Sequence, residues 1–126
     1  MRIHQDWLIR QIQLLLHFIA RVIFKKEYIV YTVEDSEATT ETDLLYASLM
    51  ALLKDSDIGG AEDLLFHNFE KDNLRYLELA VDFYQRLNKL SDEELKAGNF
   101  SREEIQEGLK DILVQAGIII PLALDN

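Results

Sequence analysis

Residues 6–26, DWLIRQIQLLLHFIARVIFKK, restrict the folds open to this chain more than any other stretch. At 3.6 residues per turn, Trp7, Leu8, Ile12, Leu15, Ile19, Val22 and Ile23 share one broad face. Leu14, Leu16, Phe18 and Phe24 widen it, leaving Arg10, Gln13, His17, Arg21 and Lys25 as a narrow polar stripe. A helix apolar nearly all round has to be covered by a core, a subunit interface or lipid. His17 and Arg21 interrupt the run, which falls short of the roughly 18 unbroken apolar residues of a membrane span. No small-x-small cleavage site follows it, as a secretory signal would require. Asp6 is expected as the N-cap, and Arg21, Lys25 and Lys26 suit the carboxyl end, where the helix dipole favours cations. The chain is expected to be organised around this helix.

With 126 residues, the sequence fits a single domain, residues 1–126, able to bury a core without staples. The absence of cysteine excludes disulfides, zinc–thiolate sites and thiol nucleophiles, and suits a reducing cytoplasm, the expected location. The formal charge of −10 is unevenly placed. Residues 1–26 hold five Arg/Lys against one acid, whereas residues 27–126 hold eight against 22. So acidic a body argues against nonspecific nucleic-acid binding, which needs a basic footprint. The basic helix is left to meet an anionic membrane surface or to pack on its own acidic body.

Residues 27–33, EYIVYTV, suit a strand by composition. Phe24, Tyr28 and Tyr31 also fall at helical spacing, and a lone strand has nothing obvious to pair with, so the reading favours continuation of the first helix. Together, residues 1–33 form the N-terminal helix and its extension, followed by an acidic polar linker at 34–42. A second helix is expected at about 42–54, with Leu45, Leu49, Leu52 and Leu53 inward. The turn at 55–60, DSDIGG, has the look of a calcium loop, but Gly59 and Phe66 stand where ligands would be needed. A helix–helix turn with glycine supplying positive φ explains it. Helices at about 60–70 and 73–89 follow, then two capping boxes, Ser91 with Glu94 and Ser101 with Glu104. The last box opens a helix closed by Gly117, and residues 118–126 form an apolar tail expected to fold back over the core. The fold class is all-α, a bundle of five to six helices over residues 43–117 and the N-terminal helix.

GGAEDLLF looks like the opening of the second helix of a tetratricopeptide hairpin, although no 34-residue period recurs. The segments DWLIRQIQLLLHFIARVIF, AEDLLF, LELAVDFYQRLNKLSDEEL and NFSREEIQEGLKDIL together resemble a family of small helical Firmicutes proteins of unknown function. The resemblance implies a helical fold in a bacterial cytoplasm and brings no activity, cofactor or catalytic residue.

Chemistry-bearing residues are sparse. His4, His17 and His67 lack the i, i+4 spacing of a helical metal site. Glu103, Glu104, Glu107 and Asp111 form a carboxylate ladder without the Glu-x-x-His partner of a di-metal centre. Ser36, Ser91 and Ser101 are explained by linker and caps, with no nucleophile elbow and no phosphate loop. No catalytic residue, metal or cofactor is expected, and the protein is not expected to be an enzyme. The expected function is a protein–protein interaction module that self-associates through Trp7, Arg10, Ile12, Leu15, Ile19, Arg21 and Ile23 of the first helix. Phe66, Tyr76 and Phe83 are expected to line a second contact groove between helices. The alternatives are a peripheral membrane protein using the basic apolar helix and a small-ligand binder with an interhelical pocket.

Overall fold

Side-chain caps fix most of the helix starts in the computed structural model, which describes residues 2–33, 40–121 and 124. Its six helices are α1 (Arg2–Val22), α2 (Glu41–Lys54), α3 (Ile58–Asn68), α4 (Leu74–Lys89), α5 (Asp92–Ala97) and α6 (Arg102–Gln115), with no strand among the described residues. Thr40, Asp57, Asn73, Ser91 and Ser101 each accept a hydrogen bond from an amide of the first turn they precede. Both expected capping boxes close, the Ser91 and Ser101 amides each donating to their glutamate at 2.9 Å. The chain is all-α, as its periodicity requires. The linker core at 34–39, with Ser36, and tail residues 122, 123, 125 and 126 lie outside the described residues.

Three expectations about local structure need correction. Asp6 is not a cap, because α1 already begins at Arg2. The α2–α3 turn takes its positive φ at Ser56 (61°), whereas Gly59 and Gly60 lie within α3, and the Asp57 carboxylate is occupied as that helix's cap. Nor does the first helix continue through 27–33. It unwinds after Val22, Lys25 takes a left-handed φ of 58°, the Lys26 amide returns to the Ala20 carbonyl, and residues 29–33 run extended.

That extended segment pairs with side chains in place of a second strand. The Gln85 carboxamide of α4 accepts from the Ile29 amide at 3.0 Å and donates back to the Ile29 carbonyl. Asp82 accepts from the Tyr31 amide, and Arg75 donates to the Thr32 carbonyl. Ile29 and Tyr31 are buried while Tyr28, Val30 and Thr32 are exposed, the two-residue alternation of a strand.

Helices α1, α4 and α6 pack on one another, and the α2–α3 hairpin joins them through α2 and α4. The element at the centre is α4 rather than α1: ten of its sixteen residues are buried, and it touches α1, α2, α6 and the extended segment. At its carboxyl end the Asn88 amide donates to the Ile9 carbonyl of α1. The fully buried Arg102 ties the Asn88 and Leu90 carbonyls to the Asp92 carboxylate, fixing the corner between α4, α5 and α6. Ile118, Ile120 and Leu124, from the described part of the tail, pack against the core. No helix among the described residues is long and apolar enough to cross a membrane.

Candidate interaction surface

The two sides of α1 meet different surroundings. Leu8, Ile12, Leu15, Leu16, Ile19 and Ala20 are buried against α4 and α6, each no more than 5 % exposed. On the far side Trp7, Leu14 and Val22 remain 46 %, 50 % and 48 % exposed, with Phe18 half-buried among them. The spacings of seven, eleven and fifteen residues from Trp7 to Leu14, Phe18 and Val22 keep these four on one stripe. Arg10, Gln13, His17 and Arg21 run exposed along its edge. Arg21 lies 3.8 Å from Glu27, both well exposed, a pairing that contributes little in water.

The residues singled out from sequence divide accordingly. Trp7, Arg10 and Arg21 lie on the outer surface, and Ile23 and Phe66 are half-buried. Ile12, Leu15 and Ile19 belong to the protein's own core and are corrected as contact residues, because α4 and α6 already cover them. Phe83, fully buried, is corrected in the same way, whereas Tyr76, 4 % exposed, lines a cleft of about 360 Å³ with Leu44, Leu45 and Leu64 of α2 and α3. Leu14 and Val22 were absent from the expected contact set, although their register with Trp7 was available in the helical period.

Elsewhere, polar side chains of α2, α4 and the extended segment engage one another. Tyr31 donates to Asp43 at 2.6 Å, Arg75 donates to both Tyr31 and Asp43 and lies 4.3 Å over the Tyr31 ring, and Tyr31 stacks on Tyr46. Burial raises the Tyr31 phenol above its ordinary value, helped by its bond to Asp43. This cluster locks the extended segment onto α2 and α4.

A second polar contact joins α3, α4 and α6. Tyr84 donates to Glu62 at 2.7 Å, and any β-carbon at Gly108 would collide with both groups. Burial raises the Glu62 carboxyl, and the negative charges of Glu104, Asp63 and Asp111 push the same way. The carboxylate ladder on α6 is exposed throughout, with Glu104 engaged in its capping box. His17 and His67 are exposed, and the His4 side chain lies outside the described residues. Among the described residues no three His, Asp or Glu side chains converge as a metal site would need. The cleft of about 290 Å³ between α1 and α4 is lined in part by Gln85 and Asn88, whose amides are committed to the Ile29 and Ile9 backbones. Its other polar lining residues, Gln13, His17, Glu27, Tyr28 and Lys89, face water.

The chain belongs to a family of unknown function, DUF6483, whose model matches residues 2–117. No curated protein and no solved structure matches it.

Proposed function

We propose that this member of the DUF6483 family is a non-enzymatic protein–protein interaction module, with the outer side of α1 as its docking face. The setting that goes with this reading is a bacterial cytoplasm, with α2 and α3 acting as a tetratricopeptide-like hairpin that stiffens the body behind α1. One observation carries it: a helix whose inner side is fully buried still holds Trp7, Leu14 and Val22 half in water along one line. A continuous apolar stripe rimmed by polar groups is the usual mark of a contact surface, and tryptophan and arginine are the residues that most often anchor one.

Replacing Trp7, Leu14 and Val22 together by glutamine tests the reading. The expected protein keeps its helical circular dichroism and melts within a few degrees of the parent, because these side chains lie outside the core. A photo-crosslinker at Leu14 is expected to give discrete protein adducts in cells, and one at the exposed Lys54 none. Unfolding of the triple variant, or equal crosslinking from both positions, would show that the stripe serves the fold and not a partner.

A further inference from the structure

The outer stripe of α1 carries a pattern that says what covers it. Counted from Leu14, an aromatic residue stands seven positions back (Trp7) and a cation four back (Arg10). An aromatic stands four forward (Phe18) and a cation seven forward (Arg21). Turning the stripe end for end about Leu14 exchanges aromatic for cation at every place. That is the condition for a two-fold contact, in which residue i meets j and j meets i.

Resting on the docking-face reading above, we infer that the partner is a second copy of this chain, its α1 packed antiparallel against the first with Leu14 at the two-fold axis. Each Arg21 then lies over the other copy's Trp7 and each Arg10 beside its Phe18, the cation–π geometry that arginine favours. The exposed Asp6 adjoins Trp7 and meets the same Arg21. A parallel pair would set Arg10 against Arg10 and Arg21 against Arg21, and align the two helix dipoles, both unfavourable. Residues 1–26 are net basic, so the like charges that the two helices bring together have to be offset by the cross-pairings with Trp7, Phe18 and Asp6.

The chain contains no cysteine, so single-cysteine variants of the full-length protein report the geometry without background. Light scattering from ~10 µM to ~1 mM, the range expected for a contact confined to one helix face, is expected to show a monomer passing to a dimer. Under mild oxidation L14C is expected to cross-link to itself within minutes. W7C and R21C are each expected to stay monomeric alone and to join when mixed, and R21E is expected to weaken the dimer at least tenfold. A dimer in which W7C links to itself and the mixture does not would overturn the antiparallel arrangement while leaving the docking face in place. A monomer at ~1 mM with no L14C cross-link would overturn the second copy as partner. In that case adducts from the Leu14 photo-crosslinker would assign the face to a different protein, and their absence would remove the docking face as well.

Discussion

Helices α1 and α4 reverse the order that their sequences suggest. By composition α1 is the more apolar, with the triplets 14–16 (LLL) and 18–20 (FIA), whereas α4 carries Arg75, Glu78, Asp82, Gln85, Arg86 and Asn88. In the fold α4 is enclosed on nearly every side and α1 is covered on one. Apolar content sets how much a helix is able to bury, while neighbours set how much it does bury. The polar residues of α4 reach inward because backbone and side-chain groups wait for them: Ile29, Tyr31 and Thr32 on the extended segment and Ile9 on α1. The surplus leucine of α1, Leu14, stays half in water.

The contrast is most sharply tested by one substitution made on each helix. Leu79→Ala in α4 removes a side chain with no exposure and is expected to cost about 2–5 kcal/mol in urea denaturation. Leu14→Ala in α1 is expected to change stability by less than about 0.5 kcal/mol. Similar costs at both sites would put an end to the distinction between the helices. Next in size, Gln85→Ala leaves the Ile29 amide and carbonyl without their partner. It is expected to cost about 1–3 kcal/mol and to abolish hydrogen-exchange protection at Ile29 before any core amide. Protection that survived would mean that α4 holds the segment by apolar contact alone.

The smallest effect has the opposite sign. Glu62 keeps its proton longer in the folded protein than in the unfolded chain. Stability is therefore undiminished below the ordinary glutamate value of 4.5, and falls as pH rises above it towards the raised folded value. Glu62→Gln keeps an acceptor for Tyr84 and removes the charge. It is expected to flatten that decline and to raise the neutral-pH melting temperature by at most ~4 °C, with no gain at pH 4. A gain of equal size at both pH values would exclude charge as its cause.

How much of this was legible depended on the range of the interactions. Caps act over three residues, so Ser91, Ser101 and the all-helical plan could be read directly from the chain. The extended segment could not, because Gln85 and Asp82 reach it across 56 and 51 positions. Its strand-like alternation was visible, but a strand was set aside for want of a second strand, and side chains took that role. For α1 the sequence reading put Trp7 and Val22 on one broad face with Ile12, Leu15 and Ile19, and it is burial that divides them. What that reading lacked was a reason to choose which side turns inward, since both are apolar. That choice is made by the shape of α4 and α6, several helices away in sequence.

The hold on residues 29–33 is an address rather than a password. Gln85, Asp82 and Arg75 grasp amides and carbonyls that every residue possesses, so the letters at Tyr28, Val30 and Thr32 are free to drift without loosening it. Beyond the buried side chains of Ile29 and Tyr31, only a residue that deletes a donor is noticed. A proline at 29 or 31 would unfasten the segment from α4, while most other changes on its outward side would pass unseen.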